Sequence, residues 1–169
     1  MVELQTISIA IASASVVAGV IYYSLQVRHQ NLQIQQQNKM RQTDLLMRLH
    51  LAFSTRETVD ACLKYLSTEY KDYDDFVKKY GSPMAEGQVQ SVFAIMGMFF
   101  EGIGVLLKNR LVDLNLVIEL FTVDMFWLKM KPLAEGMRKQ FNEPRLYERF
   151  EYLYNETKKR EQELQQSKA

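Results

Sequence analysis

The stretch SVFAIMGMFFEGIGVLL, residues 91–107, is the most apolar internal segment of the chain, and Glu101 is its only charged residue. One interpretation is a membrane span. It is disfavoured because Glu101 near the centre of a span would cost roughly 2.5–3.5 kcal/mol. Lys108 and Arg110 would also lie on the side of the membrane that basic residues avoid. The stretch therefore predicts a helix buried in the core of a helical domain.

Three glycines interrupt this predicted helix, and they are expected to mark close backbone contacts with neighbouring helices. They are Gly97, Gly102 and Gly104. The Gly102-x-Gly104 pair does not predict a phosphate-binding loop, because no strand precedes it and a third glycine is missing.

Two helix starts are predicted on the N-terminal side of this core segment. Ser54 and Glu57 form a capping box, which predicts a helix through about Ser67. Asp72 is expected to start a short helix that Gly81 ends. The residues expected to face inward from the first of these helices are Val59, Leu63 and Leu66.

The C-terminal side also has helical patterning. Asp113 is expected to cap a short helix, and Pro132 to kink or restart a longer one. Asn142 with Pro144 is expected to open the last helix. Its apolar stripe would be Leu146, Phe150, Leu153 and Leu164. No segment alternates with period 2, so the fold class is all-α, with a bundle of about five to six helices.

The first 27 residues predict a transmembrane anchor, because no charged residue occurs from Leu4 to Val27. Nineteen helical residues span roughly 29 Å, close to the hydrocarbon thickness of a bilayer. The aliphatic side chains would contribute about 2–4 kcal/mol to insertion, and the two tyrosines would lie at the headgroup level. The predicted span residues are Ile7, Ile9, Ile11, Val16, Val17, Val20, Ile21, Tyr22 and Tyr23.

A cleaved signal peptide is the alternative, since Ala12-Ser13-Ala14 resembles a cleavage site. It is disfavoured because the apolar run continues past Ala14 and no basic residue precedes it. Basic residues follow the span, whereas only Glu3 precedes it. The positive-inside bias therefore predicts an N-terminus outside an inner (plasma) membrane and a cytoplasmic C-terminal domain. The small residues Ala10, Ala14 and Ala18 leave self-association of the span open.

The remaining boundaries follow from composition. Residues 28–44 predict a Gln-rich helical stalk, residues 45–155 the helical domain and residues 156–169 a polar tail. The 21 basic and 20 acidic residues nearly cancel, which argues against a nucleic-acid partner. One cysteine and two histidines leave no disulfide framework and no His-rich metal site.

Glu101, Asp113 and Trp127 are the candidates for chemistry or binding. Glu101 could form an acidic site with Asp113, or with Asp124 as well, although an ion pair and two helix-start roles explain them more simply. Trp127 could belong to an aromatic docking patch, although helical spacing favours core packing. No catalytic, cofactor-binding or metal-binding set is predicted.

The chain also resembles a family of uncharacterised prokaryotic proteins. The resemblance rests on Phe99-Phe100-Glu101, Arg110-Leu111-Val112-Asp113, Phe121, Trp127, Pro132, Arg138 and Tyr147-x-x-Phe150-Glu151-x-Leu153. It implies one N-terminal transmembrane helix joined to a small helical domain of unknown function. It also implies glycine before the acidic turn, where this chain has Arg110-Leu111.

Together these features predict a membrane-tethered helical module that binds an unknown protein partner or itself and has no catalytic activity. The alternatives are a membrane-bound enzyme with an acidic site around Glu101 and Asp113, and a small-molecule or lipid sensor with an apolar cavity near Gly97 to Gly104.

Overall fold

A computed structural model describes residues 2–166, with the side chains of Glu3 and residues 15–166. The described chain is all-helical, as predicted: α1 Val2–Phe53, α2 Arg56–Ser67, α3 Tyr73–Tyr80, α4 Gln88–Lys108, α5 Leu114–Leu120, α6 Val123–Gln140 and α7 Glu148–Gln166. It divides into two compact units, Met1–Arg41 and Gln42–Ala169.

The first unit is a helical segment, and most of its described apolar side chains are exposed. Its described span residues, from Val16 to Tyr23, are each more than half exposed. The side chains of Ile7, Ile9 and Ile11 lie outside the described residues. Within the described part of the chain, only α4 is long and apolar enough to cross a membrane, and 44% of its apolar window is buried inside the protein. Core helices of soluble proteins can be equally long and apolar, so α4 is only weak evidence of a membrane span. The N-terminal anchor stays a prediction.

The second unit is built around α4, which packs against α7, α2 and α6. Phe100 is fully buried and stacks on Phe150 of α7, with ring centroids 4.8 Å apart. Tyr65 of α2 is also fully buried, and its hydroxyl donates a hydrogen bond of 2.7 Å to the carbonyl of Phe126. Residues 91–107 therefore form the core helix that the sequence predicts.

Two predictions for α2 are wrong. Thr55 caps the helix by accepting a hydrogen bond from the amide of Thr58, whereas the hydroxyl of Ser54 donates to the carbonyl of His50 at the end of α1. Val59 and Leu63 are exposed, at 46% and 62%. Tyr65 is the side chain that α2 buries, and Leu63, two residues earlier, points about 200° away from it.

The start of the last helix also differs from the prediction. Asn142 ends α6: its φ is 51°, and the amide of Glu143 donates to the carbonyl of Arg138. This is the Schellman pattern, which an asparagine in the left-handed conformation favours. A turn follows, and α7 begins at Glu148. α6 itself continues through Pro132 to Gln140 without restarting.

The other helix ends agree with the sequence. Asp72 and Asp113 cap α3 and α5 through their carboxylates, and Gly81 ends α3 with a φ of 85°. Residues 156–166, within the expected polar tail, are helical. There Thr157 is buried and Arg160 donates a 2.8 Å hydrogen bond to the side chain of Asn115.

Candidate functional site

The helix α4 presents three different faces. One enters the core, and a second, formed by Gly97, Glu101 and Gly104, faces the start of α7. The third face is exposed. It comprises Ser91, Ile95, Met98, Gly102 and Val105, which we call the α4 stripe.

The two glycines of the second face allow α7 to approach closely. A methyl group at Gly97 would overlap the ring of Tyr147, and one at Gly104 would overlap the backbone carbonyl of Arg149. The expectation of close contact is therefore confirmed at these two positions. It is wrong at Gly102, where a methyl group would meet open space.

Glu101 lies between these glycines and caps α7 from a different helix. Its Oε1 accepts from the amide of Arg149 at 3.1 Å and its Oε2 from the amide of Phe150 at 2.8 Å. These amides are in the first turn of α7, where backbone N–H groups have no partner within the helix and the dipole favours an anion. Glu101 therefore has the N-terminus of α7 as its partner instead of the expected Lys or Arg. Its two carboxylate oxygens connect α4 to α7.

The turn before α7 is held by two further residues. Arg138 of α6 donates from Nε to the carbonyl of Leu146 at 2.9 Å, and its Nη1 lies 2.7 Å from the carboxylate of Glu151. Tyr147 has a φ of 57°, and burial raises the pKa of its phenol, with the charge of Glu101 adding to the effect. The start of α7 is therefore fixed from both α4 and α6.

The structure does not bring the candidate acidic residues together. The Oδ1 of Asp113 accepts from the amide of Asn115 at 2.8 Å, and Asp124 forms an ion pair with Lys158 of α7. Within residues 2–166, no group of three or more His, Cys, Asp or Glu side chains could hold a metal ion. The carboxylates have separate structural partners, so the acidic-site alternative loses its basis.

Trp127 is a core residue and not a docking patch. Its side chain is 1% exposed and packs edge-on against Phe150, with ring centroids 5.1 Å apart. The tyrosines of α7, Tyr152 and Tyr154, are half-buried. Lys108 of α4 lies 5.5 Å above the ring of Tyr152. The two tyrosine rings of α7 are therefore only partly accessible to a partner.

Two open clefts lie on the described surface of the second unit. The larger, of about 620 Å³, lies between α3 and α6 and is lined by residues of both charges, among them Lys71, Asp72, Glu135 and Lys139. The other, of about 370 Å³, adjoins the α4 stripe at Met98, Glu101 and Tyr147 and is mainly apolar. It is a groove open to solvent beside Met98 and Glu101, within the segment where the sensor alternative expects an apolar cavity.

The α4 stripe is the distinctive surface of the second unit. Ile95, Met98 and Val105 are 50%, 70% and 42% exposed, although they belong to the central helix of the core. Gly102 lies among them, and a methyl group added there would meet open space. The sequence pattern did not separate this stripe, because residues 91–107 are apolar on every side of the helix. Its spacing of three and four residues was the available signal.

A family model described as a domain of unknown function, DUF4760, matches residues 9–157. The chain belongs to this family. The match agrees with the resemblance to an uncharacterised family and includes α4, the turn before α7 and the first half of α7. No curated protein and no solved structure matches the chain.

Proposed function

We propose that this protein is a membrane-tethered helical interaction module. In this proposal residues 4–27 anchor the chain in the inner (plasma) membrane, and the unit formed by residues 42–169 presents the α4 stripe to a protein partner on the cytoplasmic side. No catalytic step, cofactor or nucleic acid is part of the proposal.

The observation that carries the proposal is the exposure of the α4 stripe. A core helix gains most by burying its apolar residues, yet three large side chains of α4 remain 42–70% exposed. They follow one another on a single face with no charged side chain among them. Contiguous apolar surface of this kind is typical of protein-binding sites.

The tether is supported by the sequence. Residues 4–27 lack charged side chains. The large side chains from Val16 to Tyr23 are exposed, so they are free to contact lipid. The Gln-rich residues 28–41 that follow are also almost all exposed, as a spacer would be. The enzyme alternative lacks a comparable observation among the described residues.

Cysteine labelling in native membranes tests this proposal without knowledge of the partner. Single cysteines would replace Met98 or Leu63 in a Cys62→Ser background of the full chain. The two side chains are similarly exposed, at 70% and 62%. We expect both variants in the membrane fraction, slower maleimide labelling of Met98→Cys in native membranes, and equal labelling after detergent purification.

Two results would overturn the proposal. Recovery of the wild-type chain in the soluble fraction would remove the tether. Equal labelling of both positions in native membranes would mean that nothing covers the α4 stripe.

A further inference from the structure

We infer that the α4 stripe binds the same stripe of a second copy of the chain, with the two α4 helices antiparallel. This inference rests on the proposed function, because it names the partner of the same surface. Its first support is spacing. Ser91, Ile95, Met98, Gly102 and Val105 are separated by four, three, four and three residues, which is the period of helices that pair along their length.

The second support is a match of side-chain sizes. When Met98 is placed opposite Gly102 of the second copy, Ile95 falls opposite Val105 and Ser91 opposite Asn109. The long side chain of Met98, 70% exposed, then meets the open space at Gly102. Apolar residues face apolar residues, and polar residues face each other at both ends. Two-fold symmetry repeats each of these contacts, as a self-complementary surface requires.

The third support is charge. The only charged residues of α4 are Glu101 and Lys108. The carboxylate of Glu101 is directed to the first turn of its own α7, and the net charge of the chain is only +1. Two copies therefore approach with little repulsion. A bilayer surface is a poorer partner, because membrane-bound helices usually carry several cations beside their apolar face.

The size of the surface agrees with a tethered partner. The stripe extends over roughly 21 Å of helix, from Ser91 to Val105. With a helix width of about 10 Å, such a contact covers roughly 210 Å², which is smaller than the ~800 Å² per partner typical of stable soluble complexes. Anchoring both copies in one bilayer raises their local concentration, so that a weak contact suffices.

Disulfide cross-linking of the full chain in liposomes tests both the contact and its direction. In a Cys62→Ser background, Met98→Cys and Gly102→Cys would be oxidised alone and as an equal mixture. We expect a cross-linked product of about twice 19.8 kDa that is at least fivefold more abundant in the mixture. Leu63→Cys, exposed but off the stripe, is the collision control and should cross-link at background level.

The outcomes separate this inference from the proposed function. Stronger cross-linking of each single variant than of the mixture would mean a parallel pair and contradict the antiparallel arrangement. Cross-linking of Leu63→Cys at the same level would indicate random collision. If Met98→Cys is protected in native membranes but no cross-link forms in liposomes of the pure chain, the partner is another protein. The inference then fails, whereas the proposed function stands.

Discussion

The carboxylate of Glu101 on α4 accepts a 2.8 Å hydrogen bond from the backbone amide of Phe150 on α7. Helix caps usually come from the residue that precedes the helix. Here the residue before α7, Tyr147, has a positive φ and its ring packs on Gly97. The cap comes instead from Glu101, 49 residues before Phe150 in the chain. The side chain of Glu101 therefore both stabilises the start of α7 and fixes the position of α7 on α4.

Replacement of Glu101 by glutamine should destabilise the protein. The amide side chain keeps one acceptor oxygen where the carboxylate has two, and it loses the charge that the helix dipole favours. We expect the free energy of unfolding to fall by about 1–2 kcal/mol and cellular abundance to decrease. Glu119→Gln, at an exposed position of α5, should change neither. Normal abundance and stability of Glu101→Gln would contradict the capping role.

The same substitution at two neighbouring glycines should have opposite effects. Gly104→Ala places a methyl group against the carbonyl of Arg149, so α7 must move and unfolding should require about 1–3 kcal/mol less free energy. Gly102→Ala meets open space in the same helix and should stabilise by about 0.5–1 kcal/mol. Urea denaturation followed by circular dichroism measures both. Equal effects would mean that α7 does not approach α4 as closely as described.

Arg110 occupies a position that favours glycine. Its φ is 58°, and the amides of Arg110 and Leu111 donate to the carbonyls of Leu107 and Leu106 at the end of α4. This is a Schellman motif with a non-glycine residue in the left-handed conformation. Arg110→Gly should raise the free energy of unfolding by about 0.5–1 kcal/mol. Arg110→Ala keeps the strain and should not stabilise; a gain of the same size there would refute the explanation.

Stability should fall at alkaline pH because of the buried tyrosines. Burial raises the pKa of Tyr65, Tyr70 and Tyr147 above the ordinary value of 10.0. A phenol with a raised pKa in the folded state contributes stability that is fully present below pH 10 and is lost as the pH rises toward the folded value. The expected slope is about 1.4 kcal/mol per pH unit for each group.

Unfolding free energies measured from pH 8 to 11.5 check this dependence. Tyr65→Phe removes one titrating group, and with it the hydrogen bond to Phe126. It should lower stability at pH 8 and make the decrease above pH 10 shallower. An identical pH dependence in Tyr65→Phe and the wild type would exclude Tyr65 as one of its sources.

The features that depend on local signals could be predicted from the sequence. The helix caps at Asp72 and Asp113 and the core helix at residues 91–107 follow from residue types and periodicity, and they agree with the structure. The sequence predicts a start of α7 that is too early, because Asn142 in a left-handed conformation ends a helix, whereas Asn with Pro144 resembles a helix start. Only the conformation distinguishes the two.

The candidate site depended on tertiary packing and was less accessible from sequence. The partner of Glu101 is a pair of backbone amides, which have no signature in the side-chain pattern. The α4 stripe is apolar like the rest of residues 91–107, so composition cannot show which side lacks a neighbour. In α2, Val59 and Leu63 were expected inward because they are aliphatic, but the packing of α2 favours the face of Tyr65.

The proposed function requires that the helical domain be tethered at the cytoplasmic face of a membrane. Its most direct test is the full chain fused at its C-terminus either to a fluorescent protein that folds only in the cytoplasm or to a phosphatase that is active only outside it. We expect fluorescence in the membrane fraction and no phosphatase activity. Phosphatase activity without fluorescence would place the domain outside and contradict the predicted orientation.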